Sequence, residues 1–508
     1  MPRVLPRLAA ILAAAWLILS VVASAVGPIS PDAAAVQIQY GAVLFGQGRY
    51  REALDAYTRA VPVEDARLQM EARAGVIRSS LRTAEFLLAS ESASTLFRAA
   101  PKDPEVLALY GDARWAMGQF GEAEAAYAAS LAVDPAHARG RRGQARVLAA
   151  RGRLEDALAE ARAAVATAPD DPETHQTLSY VFERMRRFEE AASSLVSCIN
   201  LLPNKDTSEQ AALARSGVKF LRSFGDHTPY AMLPADRERR HTIPFRIVND
   251  KIIVQAKING NRDRVDFVID TGAESTVLSR RVAQRYSIVE LVTTLSAGVG
   301  DVGLRSLQLG RLDSIEIGSL KVQNVPVMIK NPPLSEMPSR EPEAFSPLTL
   351  GLSMSVDYGR RLLTIGPGAT IGEADIEMPL WLHRLATVRG VVDGAHTATF
   401  VVDTGGEVIS ISAATARSLT KIRDLRRIRL KVYGTSGWDS DAYLLPGVDL
   451  SFQEIEFRNM PVVVLNLRAP SALLGYQIGG IVGHRFLSKY RFDIDLDRSV
   501  LRLKGASG

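Results

Sequence analysis

The sequence predicts a multidomain chain in which an all-α array of helical repeats is followed by an all-β region built from two similar lobes. Three observations carry this reading. Pro101, Pro135, Pro169 and Pro203 recur every 34 residues through a segment rich in Ala, Leu, Arg and Glu. After Pro244 the apolar pattern changes from a helical period to the alternation of strands. The stretch Val265-Asp266-Phe267-Val268-Ile269-Asp270-Thr271-Gly272-Ala273-Glu274 returns 133 residues later as Thr399-Phe400-Val401-Val402-Asp403-Thr404-Gly405-Gly406-Glu407. In each copy a buried-strand pattern delivers a carboxylate into a Thr-Gly turn. A lone Asp-Thr-Gly carries little weight, because all three are ordinary turn residues; the matching flanks carry the inference.

Length and composition bound the function. A chain of 508 residues has room for roughly two to four domains, each with its own core. Hydrophobic residues at 47% and charged residues at 23% are the balance of a globular protein, which excludes disorder as its main state. The net charge of +5, from 61 basic and 56 acidic residues, is too small to argue for a nucleic-acid partner. Cys198 is the only cysteine, so an intramolecular disulfide, a Cys-based zinc site and a CxxC redox pair are excluded. The seven histidines lack metal-ligand spacing, and no Walker A, HExxH or G-x-S-x-G motif occurs, so no cofactor or metal is expected.

Residues 1–30 read as a targeting segment. Arg3 and Arg7 precede the uncharged run Leu8 to Val26, and Ala23-Ser24-Ala25 offers a cleavage pattern. The expectation is an exported, periplasmic or extracytoplasmic protein, with the same run serving as a membrane anchor if it is retained.

Residues 34–225 read as helical repeats. In the unit ending at Pro135, Gly111, Gly118, Phe120, Ala123 and Tyr127 fall where small residues let paired helices approach and aromatics fill the gap to the next pair. Gly41, Gly48, Tyr50, Ala53 and Tyr57 repeat the set, as do parts of later units. About five tetratricopeptide-like repeats result, closed by a capping helix near Ser208 to Phe224. Residues 226–244, with three prolines and Arg237-Glu238-Arg239-Arg240, read as an exposed linker.

The first β-lobe is expected over 245–370 and the second over 371–508. Phe245 to Ile258 leads through Asn259-Gly260 into the strand before Asp270, and Arg389 to Val392 leads through Asp393-Gly394 into the strand before Asp403. A short helix follows in each, Ser279 to Tyr286 and Ala413 to Leu419. The lobes then close with Leu348-Thr349-Leu350-Gly351 and Gly480-Ile481-Val482-Gly483. Aligned this way, the first closing path is six residues shorter than the second, and a helix at 485–490 has no partner.

These residues resemble retropepsin-type aspartic proteases, here with two lobes in one chain over about residues 245 to 505. The resemblance implies an acid-protease-like (retropepsin/pepsin-type) bilobal fold behind a TPR solenoid. It implies that Asp270 and Asp403 are the catalytic pair. Thr271 and Thr404 would tie the turns together across the lobe interface, and Gly272 and Gly405 would let the backbone turn tightly. At the next position stand Ala273 and Gly406, the latter adding backbone freedom. Neither carries the hydroxyl common in pepsin-like members, which implies a less acid-shifted activity than a pepsin's. The activity implied is endopeptidic, with a water activated between two carboxyls that share a proton.

Gly298, Gly300 and Gly303 satisfy G-x-G-x-x-G, but a strand pattern and no helix follows, so the expectation is a flap and not a nucleotide site. Its counterpart in the second lobe is Gly434 to Trp438, with Gly437 between them. The expected partners are a peptide or protein substrate and a protein bound by the concave face of the repeats. Two alternatives stay open: an adaptor whose lobes are a degenerate binding or dimerisation module, and lobes that pair with their equivalents in a second chain.

Overall fold

The computed structural model describes residues 29–300, 303–330, 343–369, 372–419, 427–434 and 436–505. The apolar run Leu8 to Val26 lies outside them. No helix among the described residues is long and apolar enough to cross a membrane.

The chain divides into two compact units at Ala99. The first contains the helices Pro31–Gly46, Tyr50–Ala60, Ala66–Arg82 and Phe86–Ala99. Tyr57 lies against Gly41 and Gly75, and a methyl group at Gly75 would overlap its ring. Small residues therefore set this helix spacing, as the repeat pattern requires.

The second unit opens with three more helix pairs, Pro104–Ala116 with Phe120–Val133, Ala138–Ala150 with Leu154–Thr167, and Pro172–Arg184 with Phe188–Leu201, then the single helix Glu209–Arg222. The 34-residue period is visible in the caps. The side chains of Asp103, His137 and Asp171 each accept a hydrogen bond from a first-turn amide. It is visible again in the turns inside each pair, where Gly118, Gly152 and Arg186 all take left-handed backbone angles. Between the pairs Tyr127 packs where Gly111 and Gly143 leave no side chain. Its hydroxyl donates to buried Asp112 at 2.7 Å, which also binds Arg139, Arg142 and Arg146 at 2.9, 2.7 and 2.6 Å. Burial opposes ionisation of Asp112, but the three guanidiniums outweigh it and hold this carboxyl well below the usual range.

The β region is two lobes joined by a six-stranded antiparallel layer. Its strands run in the order His241–Pro244, Leu362–Ile365, Met354–Asp357, Tyr490–Asp495, Val500–Gly505 and Ile376–His383. The seam is the pairing of Met354 with Ile494, Ser355 with Asp493 and Val356 with Phe492, so the lobes pair within one chain. Phe267, Phe345, Phe400, Phe452 and Phe492 are fully buried in the core that spans both lobes.

Three local expectations need revision. The segment 226–244 is not all exposed linker: Ala231 bridges to Gln323, and His241–Pro244 is an edge strand of the joining layer, with His241 fully buried. The run Phe245 to Ile258 is broken by a turn at Asn249 and Asp250, both left-handed, between the strands Arg246–Val248 and Lys251–Ile258. The closing segments match differently as well. The strand beside Arg264–Ile269 is Glu343–Phe345, as Gly480–Val482 is beside His396–Val402. The helical turn Pro347–Leu350 is therefore the counterpart of His484–Leu487. From Phe345 to Ser355 is ten residues and from Val482 to Asp493 eleven, so the apparent six-residue deletion shrinks to one.

The turn edges of the three helix pairs are seated on the lobes. Gly118 O accepts from the Thr399 hydroxyl, Ala116 O from Gln477 N at 2.8 Å, and Arg151 O from Ser499 Oγ at 2.6 Å. Arg186 donates to Leu350 O of the first lobe. Phe120 packs on Tyr476 and Trp381, with ring centroids 5.1 and 5.7 Å apart.

At Gly118 the left-handed angle and the space agree, because a side chain there would meet Thr399 at 2.7 Å. Gly118→Ala should destabilise the second unit by roughly 1–3 kcal/mol from backbone strain and overpacking. Gly121→Ala, on a helix with nothing within 4 Å, should be neutral or stabilising by up to about 1 kcal/mol. Urea denaturation of the two variants separates these outcomes.

Candidate active site

Asp270 and Asp403 follow the buried strands Arg264–Ile269 and His396–Val402. Their backbone amides donate to Phe345 O and Val482 O, each at 3.0 Å, which fixes both residues at equivalent places. The two carboxyls are half-buried and come together across the lobe seam, each beside the glycine of the other's Thr-Gly turn.

Four bonds hold the turns in register. Thr271 Oγ1 donates to Val402 O at 2.6 Å and accepts from Thr404 N at 3.1 Å; Thr404 Oγ1 donates to Ile269 O at 2.6 Å and accepts from Thr271 N at 3.2 Å. Both threonines are almost completely buried.

The glycines act differently from the expectation. Gly272, Gly405 and Gly406 do not take left-handed angles, so tight turning is not what requires them. Space is. A methyl at Gly272 would overlap the Asp403 carboxyl, and one at Gly405 would come within 2.6 Å of the Asp270 carboxyl. At Gly406 the conflict is milder, 2.9 Å from Asp403 Oδ2. Ala273 is half-buried in the first turn.

The two carboxyls are not electrostatically equal. Burial raises the Asp270 pKa, and the Asp403 charge and its hydrogen bond raise it further, against one amide, Gly272 N, at 2.9 Å. Burial raises Asp403 too, but Asp403 Oδ1 accepts from both Gly405 N at 2.8 Å and Gly406 N at 2.9 Å. More backbone donors aimed at the charged form make Asp403 the better anion of the two. Lys251 favours ionisation of both.

Gly298, Gly300 and Gly303 lie at the tip between the strands Glu290–Ala297 and Leu304–Ile317, while Gly434, Gly437 and Trp438 belong to the hairpin Val432–Gly434 with Gly437–Asp439. The tips meet: Ser436 N donates to Val299 O and Gly298 N donates to Ser436 Oγ, both at 2.9 Å. A side chain at Gly300 would run into the Ser436 backbone. Trp438 keeps an exposed face and sets its ring edge-on to Tyr433 at 5.2 Å.

One ion pair here was not anticipated. Arg384 Nε and Nη2 bind Glu274 at 2.7 and 2.6 Å, joining the second lobe to the turn that carries Asp270. Glu274 stands beside the motif in sequence, but nothing in the sequence pairs it with a residue 110 positions away. Among the described residues no group of three potential metal ligands converges.

Comparison with known proteins now bears on this geometry. A family model described as "gag-polyprotein putative aspartyl protease" matches residues 254–354, and one described as aspartyl protease matches 388–486. A tetratricopeptide repeat model matches 109–172. The chain carries tetratricopeptide repeats and two aspartyl-protease-like domains. Its repeats are similar to a thermophilic TPR protein from Thermus thermophilus, at 24% identity over 36% of this chain and 99% of that one, with a TM-score of 0.31. Over 53% of its length the chain is similar to the aspartic proteinase from Irpex lacteus, at 12% identity and 98% of that chain, with a TM-score of 0.34. No curated protein matches the chain.

The raised Asp270 pKa has a sign that can be checked. Between its unfolded pKa, about 4, and its higher folded value, the native state keeps a proton that the unfolded chain has lost. Stability from this group is complete below that window and falls as pH rises through it. Asp270→Asn cannot ionise and should remove most of the decline. Urea midpoints measured from pH 4 to 8 test this; parallel curves for the two proteins would refute it.

Proposed function

We propose that the chain is an aspartic endopeptidase with a single site shared by its two lobes. The observation that carries this is the approach of Asp270 and Asp403 across the seam, at equivalent places set by crossed threonines. Two carboxyls this close share one proton, which equips one as a base and the other as an acid. Asp403 takes a proton from water as its oxygen attacks the peptide carbonyl carbon. Asp270 gives its proton to the carbonyl oxygen, which yields a neutral gem-diol. On collapse the diol returns a proton to Asp270, the C–N bond breaks, and Asp403 passes its proton to the leaving amine. The meeting tips at Val299 and Ser436 would have to part for a peptide to enter and would then exclude water. The repeats would present a protein or peptide partner, and the Leu8 to Val26 run would send the enzyme out of the cytoplasm.

A peptide-library cleavage assay tests the reading. Asp270→Asn and Asp403→Asn should each lower kcat/KM by about 10²–10⁴. With no hydroxyl at Ala273 or Gly406 to favour the ionised pair, the rate should peak at clearly higher pH than a pepsin's; an optimum near about pH 2 would contradict this. If wild type cleaves nothing, or the Asn variants cleave as well as wild type, the enzyme reading falls and an adaptor role takes its place.

A further inference from the structure

The helix Pro172–Arg184 belongs to the repeats, yet its last turn grips the hairpin between the second-lobe strands Ile376–His383 and Leu385–Val392. Arg184 Nη1 donates to Leu382 O at 2.6 Å and to the Tyr180 hydroxyl at 3.1 Å. That hydroxyl in turn lies 3.0 Å from His383 Nδ1. Because Arg184 can only donate, the Tyr180 hydroxyl is free to donate to His383. Burial and the guanidiniums of Arg146, Arg384 and Arg184 keep His383 neutral, and therefore an acceptor at Nδ1. The His383 ring is also held edge-on by Trp115 and Tyr180, at 5.0 and 4.9 Å.

The next residue is Arg384, in a left-handed conformation with φ +62°. A non-glycine residue stays there only where its surroundings impose it. From this position its guanidinium spans the lobe seam, with Nη1 on Leu473 O at 2.8 Å and the other nitrogens on Glu274, four residues beyond Asp270. An unbroken series of bonds thus runs from the repeat helix to the first aspartate turn.

The other half of the site lacks this series. By strand register, Ile253 pairs with Val268 as Thr387 pairs with Val401, so Asp250 is the counterpart of Arg384. Asp250 meets Arg485 at 3.5 Å on the surface, and among the described residues no bond from the repeats reaches it.

We propose that Tyr180 and Arg184 are positioning residues for the Asp270 turn, acting through Leu382, His383 and Arg384. The kinetic arm of the test rests on the protease reading; the exchange arm does not. The full chain is compared with Tyr180→Phe, Arg184→Met, the double variant and Arg184→Lys. In the double variant, amide hydrogen exchange of a peptide covering 270–276 should speed up by about fivefold or more, while that covering 403–409 stays unchanged, because only the first turn loses its support. With a substrate in hand, kcat should fall by about tenfold with KM within about twofold, as expected of slight misplacement. Arg184→Lys should recover most of both effects. Unchanged exchange at 270–276, or equal acceleration at both turns, overturns the proposal. Tyr180→Phe removes one hydroxyl and leaves the helix intact, so it decides the question if the double variant does not fold. If wild type cleaves no peptide, the exchange result alone decides, and the two readings fail separately.

Discussion

Thr271 and Thr404 exchange four hydrogen bonds across the seam between the lobes, and the geometry of the carboxyl pair depends on them. Each hydroxyl reaches the carbonyl just before the opposite aspartate, so neither turn can shift without breaking a bond made to the other. At about 0.5–1.5 kcal/mol each, the four contribute modestly to stability. Their larger effect is specificity of place. Losing one partner would strand a buried polar group at a cost of about 1–3 kcal/mol, which makes any arrangement with separated turns a poor competitor. Two carboxyls that would repel one another if both were charged are thereby kept together.

The frame is two-fold, and the chemistry departs from it at a few atoms. Asp403 receives the amides of Gly405 and Gly406, whereas Asp270 receives that of Gly272. One extra charge-directed donor favours the charged form of Asp403 over that of Asp270, since two near-identical groups start from almost equal proton affinity. The supports differ as well. The Asp270 turn is tied through Glu274 to Arg384 and on to the repeats, while the Asp403 turn is tied through Glu407 O and Arg485 to Asp250, which no bond from the repeats reaches among the described residues. A duplicated lobe can therefore yield an ordered acid and base once the surroundings of the copies diverge.

The parts of this arrangement legible in the sequence were those written as periodicity or as repetition. The 34-residue spacing of prolines foretold helix pairs because each pair is one packing unit, and the repeated Asp-Thr-Gly foretold equivalent turns because the strand alternation on either side matched. Leu348-Thr349-Leu350-Gly351 imitates an apolar strand ending in glycine and so reads as the closing segment in place of Glu343–Phe345, and only the pairing with Arg264–Ile269 distinguishes them. His241–Pro244 was hidden by its neighbours, since an edge strand tolerates proline and adjoining charges. For Gly272 and Gly405 the sequence suggests a conformational reason, whereas the operative one is proximity to a carboxyl 131 and 135 residues away. Contacts between distant segments leave no local pattern, and the Glu274–Arg384 pair belongs to that class.

The seating of the repeats also changes what they are free to do. A repeat array is usually considered a separate module beside whatever it accompanies, but here the turn edges at Gly118, Arg151 and Arg186 are engaged by the lobes. A partner protein must use other faces of these helices, since reaching the turn edge would mean breaking buried hydrogen bonds and uncovering Phe120, Trp381 and Tyr476. A partner that shifts the helix Pro172–Arg184 moves atoms bonded to Leu382 and His383, so its binding energy is coupled to the conformation of the hairpin that carries Arg384. The coupling is reciprocal: any ligand that fixes the Asp270 turn must change the affinity of such a partner by the same factor. The array also holds Thr399, four residues before Asp403, so it touches both halves of the two-fold site, but the bonded side chains that continue as far as an aspartate turn lead from Pro172–Arg184 to the Asp270 turn.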